Sequence, residues 1–220
     1  MPTPPSRAVV IGATGFAGNH IVAELVQRGF DVTGVSRSRG DTDDEIVPFV
    51  RASIHDTGAL NTLLADADTL VIAARATQVE AEGESFAAAI EQLFPQLAAH
   101  RIRVGVVGGA GSLHLPGTET MVKDGPTFNT AWMPEAIAQS AVLDALRVSP
   151  TAVDWFYLSP PSLFGAPFPG KRTGEYRLGT DELLFDNQQR STISGEDFAV
   201  AFVDEIEHPR HRRTRFTVAY

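Results

Sequence analysis

Cysteine is absent from the sequence. That excludes disulfides, thiolate nucleophiles and cysteine-based metal sites, and it fits an intracellular, cytoplasmic protein. Any redox chemistry then has to come from a bound cofactor. No run reaches the ~18 consecutive apolar residues of a membrane span, and the proline-rich start from Met1 to Ser6 has no long apolar core behind it, so neither a membrane segment nor a targeting segment is expected. Lysine is scarce: Lys123 and Lys171 are the only two. Basic residues number 18 against 27 acidic ones, a formal net charge of −9. This balance opposes non-specific attraction to nucleic acid and to anionic membranes. The one dense basic stretch, Arg210, His211, Arg212, Arg213 and Arg215, falls between an expected helix end and the closing strand. It reads as a solvated face or as a charge complement to the helix C-terminus.

What is present is ordinary globular material, with 43% apolar and 20% charged residues in 220, enough for a large core in one domain spanning 1–220. Residues 7–11 read as a short buried strand that breaks at Gly12 into a glycine-punctuated turn. Phe16, Ile21, Val22, Leu25 and Val26 then recur at helical spacing, with Gly29 as the left-handed stop after Arg28. Residues 31–36 and 46–50 fit strands, Asp56 caps a helix carrying Leu60, Leu63 and Leu64, and 69–73 fits a fourth strand. Phe86, Ile90, Leu93, Phe94 and Leu97 mark a longer helix with a kink expected at Pro95. A strand at 103–107, a helix at 134–147, a strand at 154–158, a helix at 196–206 and a strand at 215–219 complete the chain. This alternation predicts an α/β fold: a Rossmann-type, doubly wound parallel sheet with helices on both faces and ligands at the carboxyl ends of its strands. Two stretches, 113–133 and 159–190, are too long for simple connections. They are expected on the ligand side as substrate walls, with a small C-terminal elaboration.

Gly12-Ala-Thr14-Gly15-Phe16-Ala17-Gly18 stands directly between the first strand and the first helix. Gly12 permits the tight turn, Gly15 lets backbone N–H groups approach a pyrophosphate, and Gly18 allows close helix–strand packing. The helix N-terminus adds its positive dipole end and unpaired donors, so Gly12, Thr14, Gly15, Phe16, Ala17 and Gly18 are expected to hold a nicotinamide dinucleotide. Ala73, Ala74 and Arg75, after the fourth strand, are expected to face the same ligand; Arg75 also reads as an exposed arginine at a helix start. At the end of the second strand, where an acid would accept the adenosine 2′-hydroxyl, the chain has Ser36, Arg37, Ser38 and Arg39. A guanidinium there favours the 2′-phosphate of NADP over NAD, which remains possible. As a plainer reading, Arg37 and Arg39 are exposed loop charges.

With these residues the chain resembles the atypical short-chain dehydrogenase/reductase group, the NAD(P)H-binding proteins similar to NmrA-like regulators and to flavin reductases. Beyond the glycine turn, the resemblance rests on Val106-Val-Gly-Gly-Ala-Gly-Ser-Leu113, Ser159-Pro-Pro-Ser-Leu-Phe164, Arg172-Thr-Gly-Glu-Tyr-Arg-Leu-Gly179 and Phe216-Thr-Val-Ala-Tyr220. It implies a nicotinamide-dependent reductase. The best-known members use a tyrosine and a lysine four residues later as a proton-exchanging pair. This chain has no such pair among Tyr157, Tyr176, Tyr220, Lys123 and Lys171. Reduction of a flavin or quinone acceptor demands less, because hydride passes directly and the proton arrives from water. Ser112, after the fifth strand, can orient such an acceptor or simply cap a glycine turn, and His114 can donate a proton or be an exposed loop residue. The leading expectation is an NADPH-dependent reductase of a small flat acceptor, working as a monomer or homodimer without nucleic acid, membrane or metal. A non-catalytic NAD(P) sensor fits the missing pair equally well, and an epimerase or dehydratase fits the glycine turn alone.

Overall fold

A computed structural model describes residues 6–38, 47–76 and 83–220. Among them, one eight-stranded sheet runs β3-β2-β1-β4-β5-β6-β8-β7. In chain order its strands are β1 (Arg7–Ile11), β2 (Asp31–Ser36), β3 (Phe49–Arg51), β4 (Thr69–Ile72), β5 (Arg103–Val107), β6 (Trp155–Ser159), β7 (Arg177–Gly179) and β8 (Thr214–Ala219). The helices are α1 (Phe16–Gln27), α2 (Thr57–Leu64), α3 (Phe86–His100), α4 (Met133–Val148) and α5 (Gly195–Glu207). All pairings are parallel except β7 with β8. The expected doubly wound Rossmann-type sheet is therefore present, with one antiparallel edge strand that the sequence reading lacked. Strand order reverses between β1 and β4, which puts the ligand crevice of such a sheet at their carboxyl ends.

Local chemistry accounts for the element ends. Asp56 accepts from Ala59 N at 3.1 Å, Ser85 from Ala88 N at 3.2 Å and Ser194 from Asp197 N at 3.0 Å, each capping a helix start. Gly29 closes α1 with φ +82°. The helix α3 continues through Pro95, which is exposed. The third strand begins later than expected, at Phe49; of the sequence-based span 46–50, Ile46 lies outside the described residues, as does Arg39.

Two apolar layers flank the sheet. Leu60, Phe86, Leu93, Val142 and Trp155 belong to one, under α2, α3 and α4. Ile21, Leu25, Phe156, Phe198 and Phe202 belong to the other, under α1 and α5. A third, small cluster joins the two irregular stretches, with Leu113 and Val122 from one against Leu183 from the other. His114 N donates to Asp181 O at 2.8 Å and Leu183 N to His114 O at 2.9 Å, so the two stretches are tied to each other.

The basic stretch is a solvated face only at Arg210 and Arg212, which are exposed; its other members are engaged by the fold. Glu205 Oε1 accepts from Arg103 Nη2 at 2.5 Å and Oε2 pairs with His211 Nδ1 at 2.7 Å, while the His211 ring stacks on Phe216. Arg213 donates to the carbonyls of Ser149, Pro150 and Val153, closing the turn before β6. Arg215 is buried and its Nε donates to Asp181 Oδ1 at 2.6 Å. Sequence proximity grouped these side chains, but the strand β8 sends Arg215 to a sheet face that its neighbours do not share.

Candidate functional site

The glycine turn lies against the exit of β4. A Cβ on Gly12, whose φ is +81°, would come within 2.6–2.8 Å of the Ala73–Ala74 backbone, and one on Gly18 would sit 2.1 Å from Gly12 O. Gly12, Gly18, Ala73 and Ala74 therefore meet through backbone with no room for side chains. Gly15 is different. It is exposed, with an ordinary extended backbone, and it occupies the N-cap of α1 without any side-chain cap bond. Ala17 is buried in the core. The Phe16 ring packs edge-on against Phe164 at 5.3 Å and His20 at 5.1 Å, tying α1 to the segment after β6 rather than facing the turn.

At the end of β2, Ser36 Oγ lies 3.3 Å from Thr14 Oγ1, which brings the second-strand serine to the glycine turn. Arg37 is exposed, and its carbonyl accepts from Arg51 Nε at 3.1 Å. Arg51, opposite Ser36 in the strand register, is a second guanidinium at this corner that the sequence reading missed. Only the pairing of β3 with β2 brings it there.

Between the exits of β4 and β5 runs a chain of hydrogen bonds. Glu135 Oε1 accepts from Ala76 N at 3.1 Å and from Gln139 Nε2 at 3.4 Å, and Arg75 Nε lies 3.8 Å from Glu135 Oε2. The Tyr157 hydroxyl donates to Gln139, whose carbonyl is 3.0 Å away, and accepts from Gly109 N at 3.0 Å. Tyr157 is fully buried, and that burial pushes its phenol above the ordinary value, the Gly109 N–H opposing only part of the rise.

Ser112 and His114 line a cavity of about 400 Å³ with Met121, Lys123, Ser140 and Arg215. Arg215 Nη1 donates to Ser112 Oγ at 3.4 Å, so that hydroxyl faces a buried cation. The structure thus brings together Gly12, Thr14, Gly15, Gly18, Ser36, Ala73 and Ala74 around one turn, and Ser112 with His114 in one cavity.

A family model described as NAD(P)H-binding matches residues 12–209, from the glycine turn to beyond α5. The chain belongs to this NAD(P)H-binding family. It is 34% identical over 210 residues to the Bacillus subtilis protein YwnB, itself uncharacterised, covering 95% of this chain and 96% of that one. A Streptococcus pneumoniae protein named provisionally as an NADH-flavin reductase superposes with a TM-score of 0.82 at 31% identity, covering 97% of this chain and 99% of the other. A Bacteroides thetaiotaomicron protein named provisionally as an epimerase superposes with a TM-score of 0.84 at 31% identity, covering 98% and 97%.

For an NAD(P)H-binding family member the crevice residues fit the ligand. A Cβ on Gly15 would meet Gly12 O at 3.2 Å and then nothing nearer than Ala73 O at 3.9 Å, so the mouth of the turn stays open because this residue is glycine. Exposed Thr14 and the first turn of α1 offer donors at that mouth. Among the described residues, no helix is long and apolar enough to cross a membrane.

Proposed function

We propose that the protein is an NADPH-dependent reductase that delivers hydride directly to a flat conjugated acceptor such as a flavin or a quinone. The observation that carries this reading is the combination at the crevice of an open glycine turn with the lack of a free tyrosine acid. Tyr157, beside the exit of β5, has its proton engaged by Gln139 and its oxygen engaged by Gly109 N–H. When bound, the nicotinamide supplies a hydride. The glycine turn and the first turn of α1 hold the pyrophosphate, and Ser36, Arg37 and Arg51 surround the adenosine 2′-position, where two guanidinium groups favour NADPH over NADH. Ser112, His114 and Arg215 border the acceptor, and the cavity they line is large enough for a small-molecule ligand. The proton that balances the hydride comes from water, ordered by Ser112 or His114. The flavin-reductase name of the pneumococcal protein supports this reading. The epimerase name of the Bacteroides protein points to a different chemistry, for which this chain lacks the tyrosine–lysine pair. The lack of cysteine supports a cytoplasmic site of action.

The test is oxidation of NADPH and of NADH against FMN, FAD, riboflavin and a series of quinones, with nucleotide affinity measured in parallel. Turnover of at least one acceptor, faster with NADPH, is expected. Tight NADPH binding without turnover of any acceptor would overturn the enzymatic reading and favour a nicotinamide sensor.

A further inference from the structure

The helix α4 carries no tyrosine–lysine pair, yet two of its polar side chains at four-residue spacing, Glu135 and Gln139, point toward the sheet and meet groups from two different strand exits. Glu135 Oε1 takes the N–H of Ala76, four residues beyond the end of β4. Gln139 Nε2 donates to the same oxygen, and the Tyr157 hydroxyl lies 3.0 Å from the Gln139 main-chain carbonyl and 3.3 Å from its side-chain Oε1 while taking the N–H of Gly109, two residues beyond the end of β5. Gln139 is 5% exposed and Tyr157 is 0% exposed, so three of these contacts stand where water competes little. The series links the exits of two neighbouring parallel strands, Ala76 to Gly109, through one carboxylate.

In a doubly wound sheet whose strands run 3-2-1-4-5, the adenosine half of a dinucleotide lies toward β2 and the nicotinamide half toward β4 and β5. The link from Glu135 therefore spans the nicotinamide side and leaves the adenosine side untouched. Its β4 end continues through Arg75 into Ala73–Ala74, the backbone against which Gly12 is packed. Releasing Ala76 frees the wall opposite the glycine turn.

We infer that Glu135 is a positioning residue for the nicotinamide half of the cofactor, acting through the Ala76 N–H and the Gln139–Tyr157–Gly109 series rather than by touching the reacting atoms. This rests on the dinucleotide reading of the crevice. It assigns to Glu135 and Gln139 an organising role beside the exits of β4 and β5, and it makes the nicotinamide and adenosine halves separable by mutation. Glutamine at 135 keeps an acceptor oxygen for the Ala76 N–H, whereas alanine removes it.

The experiment measures dissociation constants of NADPH, NADH, 2′,5′-ADP and ADP for wild type, Glu135→Ala and Glu135→Gln, with a melting curve for each. A hydrogen bond to a charged group predicts about tenfold weaker binding of both intact dinucleotides to Glu135→Ala. The two adenosine-half fragments should stay within about twofold, and Glu135→Gln should recover most of the dinucleotide affinity. Equal weakening of fragments and dinucleotides would assign Glu135 a general structural role and overturn the inference, as would unchanged dinucleotide affinity in Glu135→Ala. If Glu135→Ala fails to fold, Gln139→Leu, which removes the Nε2 donor to Glu135, carries the same comparison: weaker dinucleotides with unchanged fragments is expected, and a loss shared by both halves, or no loss, again overturns the inference. Failure of wild type to bind any of the four nucleotides would refute the dinucleotide reading itself, a result distinct from the others.

Discussion

Alanine at Gly18 and alanine at Gly15 should give opposite results, because one glycine serves the fold and the other the ligand. A Cβ on Gly18 would lie 2.1 Å from Gly12 O and 2.8 Å from Gly12 C, both backbone atoms of a tight turn, whereas ordinary contact begins near 3.4 Å. The turn and α1 would have to part by about an ångström. Overpacking costs about 1–3 kcal/mol, and a backbone-on-backbone overlap belongs at the upper end. Alanine returns about 1 kcal/mol of helix propensity, leaving a net loss of about 2 kcal/mol, or about 4–8 °C in Tm for a chain of this length. At Gly15 the backbone has φ −75° and ψ 169°, which any residue adopts, and the nearest atom to a Cβ is Gly12 O at 3.2 Å. That carbonyl has to move by a few tenths of an ångström. The stiffer unfolded chain offsets this by about 0.4–1 kcal/mol, so Tm should stay within about 2 °C of wild type. The new methyl nevertheless stands at the mouth of the turn. Loss of one charge-assisted phosphate contact, about 1.5–3 kcal/mol, weakens NADPH by about 10- to 100-fold. Calorimetric melting without nucleotide, followed by NADPH titration, reads both effects. A Gly18→Ala protein melting at or above wild type would refute the close approach of turn and helix. A Gly15→Ala protein with unchanged affinity would remove the glycine turn from dinucleotide binding.

Three further outcomes are expected. Arg37→Asp should weaken NADPH by about one to two decades while changing NADH little; a wild type that already prefers NADH would show that the arginine corner does not read the 2′-phosphate. Ser112→Ala should slow acceptor turnover by about two- to tenfold, the loss of one orienting hydrogen bond, whereas a thousandfold loss in it or in His114→Ala at saturating NADPH would reveal a true general acid. Burial works against the Asp197 carboxylate, but hydrogen bonds from Tyr220, Thr173 and Gly174 outweigh it and hold the carboxyl below its ordinary value of 3.8. A depressed folded pKa means that this stabilisation is present above the unfolded value and is lost as pH falls through the folded one. Asp197→Asn should therefore destabilise at neutral pH and flatten the fall of the denaturation midpoint below about pH 4; an unchanged acid slope would contradict the assignment.

Much of the fold was legible because its signals are local. The runs at 31–36 and 103–107 coincide with β2 and β5, since a buried parallel strand is a short apolar run with breakers at its ends. Asp56 and Gly29 announced a helix start and a helix stop through their own side chain and backbone. The strand β7 was missed for the same reason. It is a three-residue edge strand with an exposed pattern, held by pairing with β8 rather than by any periodicity of its own.

The site divides along the same line. The sequence by itself determined the glycine turn, because three glycines at that spacing between an apolar run and a helical apolar period are a local signal, and the lack of a tyrosine–lysine pair needed only counting. Tertiary structure alone decided which distant side chains meet. Arg51 reaches Arg37 across 14 residues, Glu135 reaches Ala76 across 59, and Arg215 reaches Ser112 across 103. No local rule couples such positions. Strand order and the right-handed crossovers bring the exits of β2, β3, β4 and β5 to one edge of the sheet, and only there do a lone arginine and a lone glutamate acquire their partners.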